Sequence, residues 1–324
     1  MIRPAFIGTV VCAFLIRLTT VVKKFGVSVF FAYANMAQAG TLPPFDDAGA
    51  RYNPLEYIRT IDTGGGSYTL EFKNDEESYF TNFIVTSKGV VAFDPLSDSA
   101  ALVYGDIIKK LAPNKPLLAI VYSHLHSDHI AGARVLRRHF GPKVPIIAHQ
   151  RTLEFFQNNN TPYIDLPTDV VTDKGRVYQF GNRTVDLRFL GNAHTASMLT
   201  PVIPELRLTY ICDFANNDVV GWTDLPGIDI DEMLKVQRRA LDLKVDKVTF
   251  CHGPPGDLQA VKRQIDYFEA LRAAARQALK NKLTEDQAVA SIDLPQYRYF
   301  EHYSAWFKDN ARAMYRWEKI KRQQ

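Results

Sequence analysis

The sequence predicts a four-layer αββα sandwich, an α/β (α+β) fold in which two stacked β-sheets are covered by helices on both sides. Runs rich in β-branched and aromatic residues come first, and strands that alternate with helical segments follow them. A second group of strands then precedes a long helical C-terminal region. The chain has 324 residues, 46% of them hydrophobic, which is enough to form cores of the size this fold needs.

The predicted strands are runs of β-branched and aromatic residues bounded by turn residues. They lie at 68–72, 79–86, 89–93, 117–122, 144–148, 176–180, 184–190, 206–212 and 246–251. The run at 117–122 is continuously apolar, which indicates a strand buried on both faces. Glycines 64–66 indicate a turn between strands, and residues 158–169 form the clearest loop.

The predicted helices have apolar residues at helical spacing on one face. They cover 100–111, 130–139, 150–157, 230–242 and 257–280. We expect residues 40–255 to form the sandwich, and residues 256–324 to form a helical segment that packs on the same domain.

Residues 1–39 have the features of an export leader. Lys23 and Lys24 precede a short apolar run, and Ala37 and Ala39 offer small residues for cleavage before Gly40. Because residues 4–16 form a second apolar run, an uncleaved membrane anchor is the alternative. A cleaved leader predicts an exported protein, most simply in a bacterial periplasm, and membrane contact is expected only if the segment is not cleaved.

The charge of the chain depends on this leader. Residues 1–39 contain four basic and no acidic residues, so without them the 39 basic residues fall to 35, equal to the 35 acidic ones. A neutral chain gives no global argument for nucleic-acid binding. Three cysteines are too few for a disulfide scaffold. The composition leaves the oligomeric state open.

The chemistry of the chain is concentrated after the buried strand 117–122, where His124, His126, Asp128 and His129 lie within six residues. Residues two apart in an extended segment point the same way, so His124 and His126 can converge on one point. Imidazole and carboxylate are ligands that zinc accepts. Such a loop without a metal would suffer desolvation and repulsion, so the pattern predicts a metal site.

Further candidate ligands each lie beside the end of a later predicted strand: His194, Asp213 and His252. Ends of strands are the usual place for ligand binding in open sheets. The remaining histidines, His139, His149 and His302, are expected to be structural.

The run His-x-His-x-Asp-His, with the later His194, Asp213 and His252, resembles the metallo-β-lactamase superfamily over about residues 55–255. The resemblance implies an αββα sandwich with two zinc ions at one edge. His124, His126 and His194 would hold one zinc, Asp128, His129 and His252 the other, and Asp213 would bridge them. Asp94 matches the first motif of the family, and it would orient a ligand histidine from behind.

The implied reaction is hydrolysis by a metal-bridged hydroxide, because two zinc ions lower the pKa of a shared water to about 7. Asp128 would shuttle the proton. We expect a small acyl substrate: an ester, thioester, lactone or amide.

Two departures from the family pattern are Cys212 and Cys251, which replace the usual glycines before the bridging Asp and the last His. We expect buried thiols whose side chains point away from the neighbouring ligands. A disulfide between them is the alternative.

Three other interpretations remain open. An exported β-lactamase is the main alternative, although Phe214 stands where the matching subclass has Ser. A non-catalytic zinc-binding module is a further alternative, although no expected ligand is missing. The walls of the pocket are open as well: Phe155, Tyr163, Phe214 and Trp222 are candidates either for its lips or for the core.

Overall fold

The computed structural model describes residues 55–159 and 161–323. Its first sheet contains seven strands in chain order. They are β1 (Glu56–Gly64), β2 (Ser67–Lys73), β3 (Ser78–Val85), β4 (Val90–Phe93), β5 (Leu117–Val121), β6 (Ile146–His149) and β7 (Asp169–Val171). The first four strands are antiparallel to one another, and β4 to β7 are parallel.

The second sheet has five strands in the order β12-β11-β10-β9-β8. They are β8 (Arg176–Phe180), β9 (Arg183–Arg188), β10 (Thr200–Ile203), β11 (Leu208–Ile211) and β12 (Lys247–Phe250). Only β11 and β12 pair in parallel within this sheet of the described chain, with Ile211 opposite Phe250. The residues that follow these two strands therefore leave the sheet side by side.

Helices follow or connect the strands as the spacing of apolar residues predicts. They are α1 (Asp98–Leu111), α2 (Ser127–Ile130), α3 (Ala133–Phe140), α4 (Gln150–Asn158), α5 (Ile230–Ala240), α6 (Leu258–Lys280), α7 (Glu285–Ser291) and α8 (Tyr303–Lys321). Ser97 caps α1 by accepting a hydrogen bond from the main-chain N–H of Ala100, and Thr284 begins α7 with a capping box.

Three separate cores confirm the four predicted layers. One core lies between the sheets and joins Val91 and Phe93 to Leu187 and Tyr210. A second core packs α1 and α3 on the first sheet, and a third packs α5, α6 and α8 on the second sheet. Each apolar sheet face is thereby covered, which is the condition for a stable layered fold.

Several element predictions were wrong in detail. Strands β1, β7 and β10 were missed, because β1 is a largely exposed edge strand, β7 has three residues and β10 contains Pro201. The helix predicted at 130–139 is two short helices, α2 and α3, that meet near Gly132. The strand predicted from residue 206 begins at Leu208, because Pro204–Leu206 forms a 3₁₀ turn.

The C-terminal helices α6 and α8 share their apolar core with β10, β11 and β12. In the described part of the chain no helix is both long and apolar enough to cross a membrane. The predicted leader, residues 1–39, lies outside the described residues, and so do its cleavage site and the anchor alternative.

Candidate metal centre

The predicted ligands gather where strands of both sheets end. His124 follows β5, and the loop it begins continues into α2 with Asp128 and His129. From the second sheet, Asp213 follows β11 and His252 follows β12. Because β11 and β12 are parallel neighbours in register, the segments carrying Asp213 and His252 emerge together.

Asp213 lies at the middle of the cluster. Its Oδ2 is 3.2 Å from Nε2 of His124 and 3.3 Å from Nε2 of both His129 and His194. Its Oδ1 is 3.3 Å from Nε2 of His252. One carboxylate therefore faces four imidazoles from three segments of the chain.

The other two predicted ligands join this group through its histidines. His126 Nδ1 lies 2.8 Å from His194 Nε2, and Asp128 Oδ2 lies 3.3 Å from His129 Nε2. The structure thus brings all seven predicted residues into one connected cluster.

Two sets of four donors are compact enough to hold an ion, since the ligand atoms within each set lie within 4.8 Å of one another, and a third set of three donors, Asp94, His129 and Cys212, meets the same condition. One set of four is His124, His126, His194 and Asp213, and the other is His129, Asp213, Cys251 and His252. Asp213 belongs to both sets, which is the geometry that a bridging ligand requires. Asp128 reaches the second set through His129.

The backbone is strained at Asp213 and at Asp94. Asp213 has φ 55° and Asp94 has φ 32°, both in the left-handed region. Such a conformation costs about 1–3 kcal/mol for a residue other than glycine, and it persists only where surrounding contacts impose it.

Opposite charges govern the protonation of the cluster without a metal. Burial would lower the pKa of His124, but contacts with Asp213 and Cys212 outweigh it and raise the pKa to about 10. Burial likewise opposes the raised pKa of His252, which Glu77 and Asp213 bring to about 9. His126 behaves differently, because burial and the neighbouring His124 and His194 hold its pKa well below 6.5.

The two aspartates of the cluster are held in the ionised form. Burial favours the neutral carboxyl at both, but His129 outweighs burial and lowers the pKa of Asp128 and of Asp213. Ionised carboxylates among imidazoles are suited to a divalent cation.

Asp94 is linked to His124 by hydrogen bonds through Ser123. Its Oδ1 accepts a hydrogen bond of 2.7 Å from the Ser123 main-chain N–H, and its Oδ2 accepts one of 3.0 Å from the Tyr210 hydroxyl. The Ser123 hydroxyl lies 2.9 Å from His124 Nδ1. Asp94 therefore reaches His124 through Ser123. Burial raises the pKa of Asp94 to about 7.

Glu77 is a residue of the site that the sequence analysis missed. Its Oε2 lies 3.3 Å from His252 Nδ1, and that nitrogen is also 3.1 Å from the carbonyl oxygen of Ser78. The Tyr79 hydroxyl donates a 2.9 Å hydrogen bond to Glu77. No pattern in the sequence separates Glu77 from Glu76, because only the approach of β3 to β12 selects it.

The two thiols were predicted only in part. Both are buried and free, so the disulfide alternative was wrong. Each thiol contacts a ligand from another segment: Cys251 Sγ lies 2.8 Å from Asp213 Oδ1, and Cys212 Sγ lies 3.6 Å from His129 Nδ1. For Cys251 the expectation that it points away from its neighbour His252 was also wrong, because the two residues belong to one donor set whose atoms lie within 4.8 Å of one another.

The other histidines have contacts of a structural kind. His149 Nδ1 accepts a hydrogen bond from Arg151 N at the start of α4, and its Nε2 lies 2.9 Å from Asp173. His302 stacks on Trp306, and His139 packs against Gly105.

The candidate aromatic walls divide between core and surface. Tyr163 and Phe214 are buried, and Phe155 is half-buried against the core of the first sheet. Trp222 is exposed over 53% of its surface, so it does not belong to the core.

Trp222 belongs to a segment, residues 214–225, that we call the rim segment. Asn217 N in this segment donates a 3.2 Å hydrogen bond to the carbonyl oxygen of His252. The C-terminal helices hold the segment: Asn310 Nδ2 donates to the carbonyl oxygens of Gly221 and Thr223, at 2.8 and 2.6 Å. Helix α8 thus positions the segment that leads away from Asp213.

The donor set fits a metal. Within the described residues, the buried Nε2 atoms of His124 and His129 have no hydrogen-bond partner, although Asp213 lies close to each. Buried polar atoms are normally hydrogen-bonded, so such atoms facing a shared carboxylate call for a cation. A set of imidazoles and carboxylates with few other donors suits zinc.

Comparison with known proteins gives a consistent result. The family model of the metallo-beta-lactamase superfamily matches residues 75–252, more than half of the chain, and this span contains all seven clustered residues. The chain is 29% identical over 157 residues to the metallo-beta-lactamase IND-1 of Chryseobacterium indologenes. That alignment covers 48% of this chain and 59% of the relative's length.

Solved structures share the fold at low identity. A metallo-beta-lactamase from Pontibacter korlensis has a TM-score of 0.55 at 16% identity, and the match covers 65% of this chain and 97% of that chain. The sec-alkylsulfatase Pisa1 from Pseudomonas sp. has a TM-score of 0.62, also at 16% identity. That match covers 87% of this chain and 54% of the alkylsulfatase.

Proposed function

Because the chain belongs to the metallo-beta-lactamase superfamily, we propose that it is an exported binuclear zinc hydrolase that cleaves a small acyl substrate. The substrate is an ester, thioester, lactone or amide. The protein binds no nucleic acid in this proposal, and its export rests on the leader predicted from residues 1–39.

The observation that carries the proposal is the position of Asp213, whose carboxylate belongs to both four-residue donor sets. In the proposed assignment His124, His126 and His194 hold one zinc and Asp128, His129 and His252 the other, with Asp213 between them. Asp94 acts behind His124, through Ser123.

When bound, the two zinc ions supply a water of lowered pKa and a Lewis acid for the scissile carbonyl. The residues of the chain orient the ligands and handle the proton. Glu77 and the carbonyl oxygen of Ser78 fix the ring of His252. Asp128, ionised and with 34% of its side chain exposed, accepts the proton of the attacking water and returns it to the leaving group.

A β-lactamase is the second candidate, and the similarity to the metallo-beta-lactamase IND-1 favours it. Against it, the position where the matching subclass has Ser is occupied by Phe214, which is 1% exposed and packs in the core of the second sheet. A non-catalytic zinc-binding module is the third candidate.

The first test is turnover by the zinc-loaded protein, with a chelator-treated control. The panel contains a chromogenic cephalosporin, an aryl ester, a thioester and a lactone. It also contains a secondary alkyl sulfate, because the structural match to the sec-alkylsulfatase covers 87% of this chain. We expect chelator-sensitive hydrolysis of an acyl compound with kcat/KM of roughly 10⁴ M⁻¹s⁻¹ or more. Turnover of the cephalosporin alone would make the protein a β-lactamase, and no turnover with zinc bound would favour the non-catalytic module.

The second test removes one proposed ligand. His126→Ala is expected to lower the zinc content and abolish turnover, whereas His139→Ala, which removes a histidine that packs against Gly105, is expected to change neither. Full zinc content and full activity in His126→Ala would refute the proposed metal site.

A further inference from the structure

The side chain of Cys251 forms hydrogen bonds with both the carboxylate and the main-chain N–H of Asp213. Cys251 Sγ lies 2.8 Å from Asp213 Oδ1 and accepts a 3.1 Å hydrogen bond from the main-chain N–H of Asp213. The one proton of the thiol is directed to Oδ1, which leaves the sulfur lone pairs for the N–H. The contact therefore fixes the backbone and the carboxylate of one residue at once.

The fold makes this contact possible through the pairing of β11 and β12. Ile211 lies opposite Phe250, and Cys251 N donates a 3.1 Å hydrogen bond to the carbonyl oxygen of Ile211. Asp213 then turns into the left-handed region, and this turn brings its N–H and its carboxylate to the neighbouring thiol. A glycine at position 251, the usual residue of the family, offers no atom for either bond.

Burial makes the contact consequential. Cys251 is fully buried, and only 9% of the Asp213 side chain is exposed. Because a buried N–H is normally paired, loss of the sulfur would leave the N–H of Asp213 without a partner and would release its left-handed backbone.

The same contact assigns the two oxygens of Asp213. With Oδ1 fixed on the sulfur and near His252, Oδ2 is directed at His124, His129 and His194. A carboxylate free to rotate about its last bond would not keep this division, which a bridging ligand needs.

We infer that Cys251 is a positioning residue that holds Asp213 in the orientation needed to serve both metal sites. This inference rests on the proposed binuclear function. It assigns the thiol a role as a hydrogen-bonding partner behind a ligand, a position that in metal sites is more often filled by a carboxylate, a carbonyl or water.

The test measures the binding of two Co²⁺ or two Zn²⁺ ions by the full chain and three variants. Cys251→Ser keeps a donor and an acceptor, Cys251→Val fills the space without either, and Cys251→Ala removes both. We expect the wild type and Cys251→Ser to bind both ions, and the Val and Ala variants to bind the second ion 10- to 100-fold more weakly. Thermal unfolding of each metal-free variant checks that it is folded.

The outcomes separate this inference from the proposed function. A wild-type protein that binds fewer than two ions would refute the binuclear proposal itself. If all four proteins bind two ions with equal affinity, only the role of Cys251 is refuted. Normal binding of both ions by Cys251→Val would also refute it, because the side chain would then contribute only by filling space. A strong sulfur-to-cobalt charge-transfer band in the wild type, absent from Cys251→Ser, would also overturn the inference, because the thiolate would then be a ligand.

Discussion

Asn310 offers the sharpest test of how the C-terminal helices support the site. Its side chain is fully buried in α8, and it makes three hydrogen bonds. Nδ2 donates to the carbonyl oxygens of Gly221 and Thr223, at 2.8 and 2.6 Å, and Oδ1 accepts a 2.8 Å bond from the Tyr267 hydroxyl. Asn310→Ala removes all three bonds and leaves the partners in Gly221 and Tyr267 buried and the partner in Thr223 partly buried.

The expected loss of stability in Asn310→Ala follows from the number of hydrogen bonds removed. A buried hydrogen bond contributes about 1 kcal/mol net, so three lost bonds predict a destabilisation of about 3 kcal/mol. At roughly 2 °C per kcal/mol for a chain of this size, the thermal midpoint should fall by roughly 6 °C. The zinc content should not change, because the candidate ligands lie on other segments.

The assay is urea or thermal unfolding of the zinc-loaded protein, with amide hydrogen exchange of residues 214–225 as a local readout. Asp309→Ala, on the exposed face of the same helix, is the matched control and should change the unfolding free energy by less than about 0.5 kcal/mol. A destabilisation below about 1 kcal/mol in Asn310→Ala, or exchange in the rim segment equal to wild type, would refute the argument that α8 positions this segment.

Three further predictions concern the metal, its support and pH. Chelation should lower the free energy of unfolding by about 4 kcal/mol relative to protein in zinc at 1,000 times Kd, and calorimetry that finds equal midpoints would contradict a folded-state metal site. Glu77→Gln should weaken zinc binding 10- to 100-fold in a competition titration, since Glu77 faces His252, whereas the exposed Glu76→Gln should bind zinc like wild type. Glu285 accepts hydrogen bonds from Arg316 and Arg312, which lower its pKa below 4.5. These bonds therefore add less than about 1 kcal/mol to the free energy of unfolding above pH 4.5, and this stabilisation is lost as the pH falls through the pKa of the folded protein. Denaturation should therefore show that Glu285→Gln has a lower free energy of unfolding than wild type at pH 7 and an equal one at low pH. A difference that does not depend on pH would contradict this assignment.

The layered fold could be predicted because apolar patterning is local. The run at 117–122 is apolar enough to be recognised as a strand from its own residues, and it corresponds to β5. The strands that were missed lack this signal: β1 is mostly exposed, and β10 has only four residues, one of them Pro201. For such strands the neighbours in the sheet, not the segment itself, decide the structure.

The seven candidate ligands could be named from the sequence because each is a histidine or aspartate beside a strand end, in a spacing that few other sites share. Their convergence on Asp213 required the parallel register of β11 and β12. The contacts of the thiols with Asp213 and His129 could not be predicted from alternation, because alternation fixes a direction relative to the residue's own strand and not the segments that pack against it.

The sequence by itself determined which residue types are present, the periodicity of the strands and the concentration of metal-binding side chains in one loop. Only the tertiary structure decided that Glu77 supports His252, that Cys251 holds Asp213 and that Asn310 supports the rim segment. The physical reason is distance along the chain. These contacts join segments 38 to 175 residues apart, and a hydrogen bond between such segments depends on how the sheets and helices pack, which local patterns of hydrophobicity do not encode.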